Sequence, residues 1–427
     1  MMKTEAKRDE YRFSRLMFIL VAALEYFVAL TVGGAYLAKL TAYVGMSDAM
    51  TGILTAFVSL GCSMQIVAIF FTGLRSAKKL VCAANVADQA LFALVYLTPL
   101  FPIPAAHRSM LLLVLLLVAH LVMNVVHSPK INWMMALVDD DKRGVFTANK
   151  EIVSLVGGML FTFLMGAVID TFEARGELLS AFAFCGITIF VLMLLHTLAL
   201  FLSKEKTVEK TAVRVPIRRM ICNKNLLKVM LFAVLWHIAQ YATTPFYGSY
   251  EVGALGFSMT FVAVLSAVCS LTRALCSRPI GRFADRHSFA TMLIPCFAIW
   301  GVGYFINIFT VPANGKVLFF IYSLLNAISM GGINGGTINL IYDYVPHEQR
   351  VAALALQNSI AGVCGFLTTL AFSRLVDHIQ ANGNTFLGIR VYAQQVLSLF
   401  ACVMILLVIG YLLLVIRKMH RVGPSES

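Results

Sequence analysis

Long apolar stretches separated by short polar connections dominate the chain. Each stretch is close to the roughly 20 residues that an α-helix needs to cross a bilayer, and none shows the alternation of barrel strands. Because backbone polar groups must be paired inside hydrocarbon, the pattern predicts helices. Twelve spans are predicted, at 16–38, 49–72, 80–100, 109–135, 146–169, 179–202, 226–248, 258–278, 289–311, 316–342, 352–376 and 393–416.

A polar and basic segment divides these spans into two sets of six. It is the only long interruption between apolar blocks, so it predicts a linker between two helical bundles. The predicted fold is therefore an all-α integral membrane protein. Its predicted parts are an N-terminal segment (1–15), an N-terminal six-helix bundle (16–202), a linker (203–225), a C-terminal six-helix bundle (226–416) and a tail (417–427).

Composition agrees with a lipid environment. Hydrophobic residues make up 59% of the 427 residues and charged residues only 13%, with a mean hydropathy of +0.83. Lys and Arg concentrate at the termini, in the linker and in the even-numbered connections. The positive-inside rule then predicts a multi-pass protein of the cell (inner) membrane with both termini cytoplasmic.

The charge and cysteine content exclude several function classes. The net charge of +13 arises mostly in short loops beside spans, where topology explains it, so nucleic acid is not an expected partner. The nine cysteines show neither CxxC nor Cys/His ligand spacing, so no disulfide framework, zinc site or other metal is expected. No cofactor and no enzymatic nucleophile/base pair emerge either.

Internal repetition relates the two halves. Seven residues of the first half recur 207 positions later: Ile131, Asn132, Arg143, Gly158, Thr162, Asp170 and Gly176 match Ile338, Asn339, Arg350, Gly365, Thr369, Asp377 and Gly383. The first two spans of each half align at an offset of 211, which pairs Gly45 with Gly256 and Ser47 with Ser258. The chain is thus predicted to be a duplication with two parallel pseudo-symmetric bundles. Asp170 and Asp377, at the outer ends of spans 5 and 11, are interpreted as helix-end residues.

One short motif connects this architecture to a known family. Gly281-Arg282-Phe283-Ala284-Asp285-Arg286, after span 8, matches the pattern G-[RK]-x-A-D-R, and an acidic stretch before Arg143-Gly144 is similar to a second family loop. With two parallel six-helix repeats, the chain resembles the major facilitator superfamily over essentially its whole length. The resemblance implies two bundles that rock about a central site and expose it to each side alternately.

The motif also predicts a cytoplasmic gate. Asp285 is expected to accept hydrogen bonds from the start of helix 5, near Arg143 to Thr147, with flanking cations holding the contact. The matching loop of the first half has Ala77 at the Asp position, so the second-half loop should carry most of the latch. The predicted gate residues are Gly281, Arg282, Asp285, Arg286, Arg143 and Arg350.

Ionisable residues inside the spans are candidates for energy coupling, because each costs about 2.5–3.5 kcal/mol to insert at the bilayer centre. Glu25 in span 1 and Asp88 in span 3 are the predicted proton-coupling residues. The alternative for Glu25 is a structural ion pair with Lys130 or Arg273.

Polar side chains recur at helical spacing in spans 7, 4 and 10. The i, i+3, i+4 and i+7 pattern places side chains on one helix face, and we expect these faces to line the central pathway. Interhelical hydrogen bonding within a bundle is the alternative. With two cations added for charge compensation, the predicted substrate-binding residues are His237, Gln240, Tyr241, Thr244, His120, Asn124, Asn326, Asn334, Arg273 and Lys130.

These features predict a secondary active transporter that moves a small organic solute, coupled to protons and acting as a monomer in the lipid bilayer. No Walker A sequence is present, so ATP is not the expected energy source. The excess of cationic candidates favours an organic anion or a zwitterion. A multidrug/proton antiporter is one alternative, although span 5 lacks the Gly-Pro pair of many exporters. A non-transporting receptor or scaffold with the same fold is the other.

Overall fold

The computed structural model describes residues 10–67, 77–139, 143–206, 223–345 and 350–419. Within these ranges, twelve helices are long and apolar enough to cross a membrane, which confirms the predicted number and the helical class. Most of the predicted linker (203–225) lies outside the described residues, as do residues 73–76 of the loop compared with the family motif.

The first six spans form one bundle. They are helix 1 (Arg12–Thr31 and Gly34–Val44), helix 2 (Asp48–Thr55, Phe57–Cys62 and a 3-10 turn at Ser63–Ile66), helix 3 (Ala77–Leu97), helix 4 (Ala105–Ala136), helix 5 (Arg143–Ala174) and helix 6 (Leu178–Leu202).

The last six spans form the second bundle. They are helix 7 (Lys224–Tyr241, Thr244–Ser249 and a π-helical turn at Tyr250–Ala254), helix 8 (Met259–Arg286), helix 9 (Phe289–Asn307), helix 10 (Gly315–Tyr344), helix 11 (Arg350–Ala381) and helix 12 (Ala393–Leu414).

The repeated glycines and serines build the same turn in both bundles. Gly45 follows helix 1 with φ of 84°, and Gly256 follows helix 7 with φ of 62°, a left-handed conformation that favours glycine. The hydroxyl of Ser47 then accepts the N–H of Met50 at 3.2 Å and caps helix 2. Ser258 caps helix 8 in the same way.

Helices 1 and 7 are each interrupted, which the apolar pattern did not predict. Helix 1 breaks at Val32–Gly33, and Gly34 continues with φ of 54°. Helix 7 breaks at Ala242–Thr243, and Pro245 stands in the first turn of its next piece, where the missing N–H costs no hydrogen bond.

Because successive helices run in opposite directions, both ends of each six-helix bundle return to the same side. The backbone N–H of Lys204, after helix 6, donates to Ser14 Oγ near the start of helix 1 at 2.9 Å. Trp133 Nε1, near the end of helix 4, donates to the Lys204 carbonyl at 2.9 Å. We call this side the terminal end and the opposite side the far end.

A small β-hairpin connects helices 11 and 12 at the far end. Strand β1 (Thr385–Phe386) pairs antiparallel with β2 (Ile389–Arg390). At the turn between them, Leu387 has φ of 50° and is 86% exposed. The hairpin adds a short piece of sheet to a molecule that is otherwise helical in its described regular structure.

Several helix pairs join the bundles: helix 2 packs on helix 11, helix 5 on helix 8, and the far half of helix 7 on the far half of helix 1 and on helix 2. The contact between helices 1 and 7 depends on glycine. A Cβ atom added to Gly248 would collide with the backbone of Gly34 and Ala35. The far halves of helices 1 and 7 therefore approach as closely as their backbones allow.

Candidate functional site

Glu25 and Lys130 form an ion pair inside the first bundle. Lys130 Nζ on helix 4 lies 2.6 Å from both carboxylate oxygens of Glu25 on helix 1 and 3.5 Å from Oδ1 of Asn85 on helix 3. The Lys130 side chain is 8% exposed and the Glu25 side chain 22%. At 1.5 Å per residue, Glu25 lies about 20 Å into helix 1, near mid-depth. The partner of Glu25 is thus Lys130, one of the two cations weighed from the sequence.

Asp88 lies deeper in the same bundle, on helix 3. The residue is 0% exposed, and neither carboxylate oxygen has a hydrogen-bond partner among the described residues. Gln89 beside it is also buried, with 1% exposure. The charges of Glu25 and Lys130 also act on Asp88. A buried carboxyl without donors is costly as an anion.

Two histidines complete the surroundings of the ion pair. His196 on helix 6 and His127 on helix 4 both act electrostatically on Glu25. His196 is buried, and neither ring nitrogen has a hydrogen-bond partner among the described residues. Sequence analysis missed His196, although an ionisable residue inside span 6 was a sufficient signal.

A chain of side-chain amides crosses from one bundle to the other. Gln65 Nε2 on helix 2 donates to Asn124 Oδ1 on helix 4 at 3.2 Å. Asn358 Nδ2 on helix 11 donates to Gln65 Oε1, also at 3.2 Å. Of these three residues only Asn124 was predicted. Gln65 and Asn358 could have been found as single amides within apolar runs, but nothing in the sequence indicated that they meet.

His120 does not share the environment of Asn124, although the two lie one turn apart. Its ring packs edge-on against Phe92 of helix 3, with centroids 5.1 Å apart. Both ring nitrogens are buried without a hydrogen-bond partner in the described part of the chain. The imidazole therefore packs on helix 3, and no hydrogen bond joins its ring to the amide chain among the described residues.

The predicted stripe on helix 7 spans a break in the helix, with His237, Gln240 and Tyr241 before it and Thr244 after it. The rings of His237 and Tyr241 stack with centroids 5.9 Å apart, and His237 Nδ1 lies 2.8 Å from the Ala233 carbonyl. Gln240 is half-buried on the same helix. Thr244 is exposed and starts the next helical piece, so the break at Ala242–Thr243 ends the regular spacing.

Helix 10 places its two predicted residues differently. Asn326 is half-buried, and its Oδ1 has no partner among the described residues. Asn334 is exposed. Gly332 and Gly336 face Met292 on helix 9. Asn334 is two residues from each of them, which at about 100° per residue places it on nearly the opposite side of helix 10, so it points away from helix 9.

Arg273 on helix 8 is half-buried. No hydrogen bond or ion pair joins its side chain to another described residue, so it is not the partner of Glu25. Its guanidinium group therefore stays a candidate for pairing with an anionic group of a substrate.

Two hydrogen-bonded contacts close the far end. The Asp170 carboxylate on helix 5 accepts the backbone N–H groups of Met259 (2.8 Å) and Thr260 (2.7 Å), the first residues of helix 8. Gln380 Nε2 on helix 11 donates to Asp48 Oδ2 on helix 2 at 2.6 Å. The interpretation of Asp170 as a helix-end residue was incomplete, because it caps a helix of the other bundle. Its repeat counterpart Asp377 is exposed.

The predicted gate residues are not engaged across the bundles at the terminal end. The motif from Gly281 to Arg286 forms the last turns of helix 8 rather than a loop, and Arg282, Asp285 and Arg286 are exposed. Among the described residues, none hydrogen-bonds or pairs with these three side chains. The side chain of Arg143 lies outside the described part of the structure.

Arg350, the repeat counterpart of Arg143, stays within its own bundle. It donates to the carbonyls of Tyr342 (2.9 Å) and Val345 (3.2 Å) and lies over the Tyr342 ring. The terminal end thus lacks a counterpart to the Asp170 contact among the described residues.

One intramembrane carboxyl was overlooked in the sequence. Glu251 lies in the π-helical turn of helix 7, three residues beyond the predicted end of that span, and is half-buried. Single π-helical turns are often found at functional sites. Elsewhere in the described ranges, no group of three or more His, Cys, Asp or Glu side chains is arranged to hold a metal ion.

Comparison with known proteins finds similarity at the level of family and fold. A family model described as the Major Facilitator Superfamily matches residues 18–369 and 229–427. A search of curated protein sequences finds no match.

Several solved structures share the fold. The nucleoside transporter NupG is 13% identical and superimposes with a TM-score of 0.69 over 95% of this chain and 99% of its own. A bacterial homologue of the human lysosomal transporter Spinster, in an inward-facing and unoccupied conformation, is 14% identical with a TM-score of 0.69 over 98% and 100%. The D-xylose-proton symporter is 14% identical with a TM-score of 0.68 over 92% and 97%. At these identities the likeness concerns the fold alone.

Proposed function

Because this chain belongs to the major facilitator superfamily, we propose that it is a proton-coupled secondary active transporter of a small organic solute. The two bundles rock about a central site and expose it to each side of the membrane in turn. Protons supply the energy, and the terminal end faces the cytoplasm, as the distribution of Lys and Arg favours.

The Glu25–Lys130 pair is the observation that supports proton coupling best. A carboxylate at mid-depth is costly in a bilayer unless it has a partner or a function. Glu25 has a partner at 2.6 Å and still keeps 22% of its side chain exposed, so water can deliver a proton to it. Protonation of Glu25 would cancel its attraction for Lys130 and so change the contact between helices 1 and 4.

The cross-bundle hydrogen bonds support an inward-facing conformation. Two of them close the far end, at Asp170 and Gln380, and one lies nearer mid-depth, where Ser59 Oγ donates to the Gly362 carbonyl at 2.8 Å. The bonds from Asn358 to Gln65 and from Ser359 to the Cys62 and Ser63 carbonyls lie on the terminal side of the middle of helix 11. The motif residues at the terminal end do not contribute in the described part of the chain. With the terminal end cytoplasmic, the hydrogen-bonded far end is the outer one, which favours an inward-facing state.

The chemistry of the central residues favours a polar solute that carries a ring. The amides of Gln65, Asn124 and Asn358 offer both donors and acceptors, and the stacked His237 and Tyr241 provide an aromatic surface. Lys130 is neutralised by Glu25, which removes much of the reason to expect an anion. A nucleoside or a sugar fits these groups, and solved structures with the same fold are named for transport of such compounds.

A two-stage experiment tests this function. The purified protein is first screened by thermal shift against nucleosides, pentoses, hexoses, organic anions and lipophilic cations, because a ligand stabilises the folded state in proportion to its occupancy. Each hit is then followed in proteoliposomes with an imposed pH gradient. We expect accumulation of the solute against its gradient in the wild type, and exchange without accumulation in Glu25→Gln.

The outcomes separate the competing functions. Gradient-driven movement of a lipophilic cation out of the cytoplasmic side would favour a multidrug antiporter. Absence of flux for every bound compound, with or without a pH gradient, would favour a receptor or scaffold and contradict the proposal.

A further inference from the structure

We propose that Glu25 and Asp88 share a single proton and that Lys130 pairs with whichever of the two carboxyls is ionised. In the conformation described here, Glu25 is the ionised partner and Asp88 holds the proton. This inference rests on the proposed proton coupling and assigns its internal mechanism.

Charge balance is the first argument. Two carboxylates and one ammonium would leave a net negative charge in a buried cluster, which is strongly disfavoured without further donors. The Glu25 oxygens both meet Lys130 Nζ at 2.6 Å, whereas the Asp88 oxygens meet no donor in hydrogen-bonding geometry among the described residues. With the proton on Asp88, the three groups carry no net charge. The neutral carboxyl is then the one that accepts no hydrogen bond from the described residues.

The position of Asn85 provides a path for Lys130. Asn85 and Asp88 lie three residues apart on helix 3, so their side chains share one face. Lys130 Nζ already lies 3.5 Å from Asn85 Oδ1, while the Asn85 amide nitrogen is held by the Val81 carbonyl at 2.8 Å. A lysine that leaves Glu25 therefore keeps a fixed acceptor as it moves one turn along helix 3 towards Asp88.

The other titratable groups around the cluster come from helices 4 and 6, with Lys150 of helix 5 beyond them, next to His127. The histidines are His127 and His120 on helix 4, and His196 on helix 6. His196 and His120 are buried with both ring nitrogens unpartnered among the described residues, an environment that opposes a positive charge on either ring. Lys130 is therefore the group whose charge follows the carboxyls.

The exchange conserves protons and charge. The proton passes from Asp88 to Glu25, and the Lys130 ammonium group moves in the opposite sense, from Glu25 to Asp88. The cluster contains one carboxyl proton before and after. Of the two carboxyls only Glu25 has an exposed fraction, 22% against 0% for Asp88, so in this proposal protons enter and leave at Glu25 and a proton on Asp88 is held inside the bundle.

Infrared spectroscopy of the purified protein in lipid tests this arrangement directly, because a protonated carboxyl has a C=O stretching band that a carboxylate lacks. The spectrum of the wild type at neutral pH is compared with those of Asp88→Asn, Glu25→Gln and the double variant Glu25→Gln/Lys130→Met. Glu251→Gln serves as the matched control, since it removes a different half-buried carboxyl from the membrane domain.

The expected pattern is specific. Asp88→Asn removes a protonated-carboxyl band, which identifies it. Glu25→Gln also removes that band, because Lys130 is released to pair with Asp88 and ionises it. The double variant restores the band, because Asp88 again lacks a cation, and Glu251→Gln leaves it in place.

Two results would overturn the inference: a band assigned to Asp88 that persists in Glu25→Gln, or no band that Asp88→Asn removes. Neither depends on transport. If the band pattern holds while proteoliposomes show no proton-driven accumulation, the shared proton stands and the proposed coupling fails. If accumulation is proton-driven and the band pattern fails, the proposed function stands and the exchange is wrong.

Discussion

The Asp170 carboxylate on helix 5 accepts the backbone N–H of Met259 on helix 8 at 2.8 Å, across the boundary between the bundles. The next N–H, that of Thr260, donates to the other oxygen. The first N–H groups of a helix have no partner within the helix and carry a partial positive charge. A carboxylate from the opposite bundle satisfies them, so the contact favours a closed far end.

We predict that Asp170→Asn shifts the protein towards a state that is open at the far end. Hydrogen bonds to charged groups contribute roughly 1.5–3 kcal/mol, so the ratio of closed to open molecules should fall about 10- to 100-fold. Spin labels on the far ends of helices 5 and 8 would report this as a shift of the interlabel distances to larger values.

The repeat supplies the matched control. Asp377 occupies the equivalent position on helix 11 but is exposed, so Asp377→Asn should leave the distances unchanged. An equal shift in both variants would show that surface charge, and not the cap on helix 8, determines the far-end conformation.

Asp285 should act in the opposite direction. It is exposed at the terminal end here, and the family motif implies that it caps helix 5 when that end closes. Asp285→Asn should therefore destabilise the terminal-closed state and increase the population described here. The same label pairs measure it, and Ala77→Ser serves as the control in the first-half loop. A shift with the same sign as that of Asp170→Asn would contradict this role.

The contact between Gly34 and Gly248 predicts a steric effect. Gly248→Ala places a methyl group against the backbone of helix 1, and overpacking of this kind costs typically 1–3 kcal/mol. We expect a lower melting temperature, or separation of the far halves of helices 1 and 7.

Gly410→Ala is the appropriate control for that substitution. Gly410 lies in helix 12, and a Cβ atom there meets nothing within 4 Å. Alanine should be neutral or slightly stabilising at this position because it favours helix. Comparable destabilisation by both variants would mean that an added methyl group is unfavourable in these helices in general, and that the close approach of Gly248 to helix 1 does not control the result.

The ion pair predicts an asymmetric mutant cycle. Lys130→Met leaves two carboxyls without a cation and should destabilise the protein by less than the roughly 3–5 kcal/mol of a fully buried pair, because Glu25 is 22% exposed. Glu25→Gln should cost less, because Asp88 can take over Lys130. Thermal unfolding of the singles and of Glu25→Gln/Lys130→Met measures the coupling. A double variant as unstable as the sum of the singles would argue against a direct pair.

The sequence predicted the elements well because lipid imposes strong rules on them. Twelve apolar runs became twelve helices. The 211-residue offset identified Gly45 with Gly256 and Ser47 with Ser258, and these residues form equivalent turns. Local chemistry determines both features, so a single sequence was sufficient.

Contacts between distant helices were harder to predict. Asp170 looked like an ordinary helix end because its partners are backbone N–H groups 89 and 90 residues away, which leave no trace in the side-chain pattern. Gln65 and Asn358 are separated by 293 residues, and each alone resembles a routine interhelical hydrogen bond. The break at Ala242–Thr243 interrupts the predicted stripe on helix 7, and Pro245 just beyond it was the local signal for this break.

The β-hairpin after helix 11 is a suitable site for an inserted epitope in a protein whose other described regular structure is helical. Its turn at Leu387 projects from the far end and is 86% exposed, and exposed loop tips tolerate insertions well. An epitope inserted between Leu387 and Gly388 would stand clear of the transmembrane helices on the side opposite the termini. An antibody fragment bound there would mark one face of the molecule and give a small membrane protein a recognisable feature for single-particle imaging.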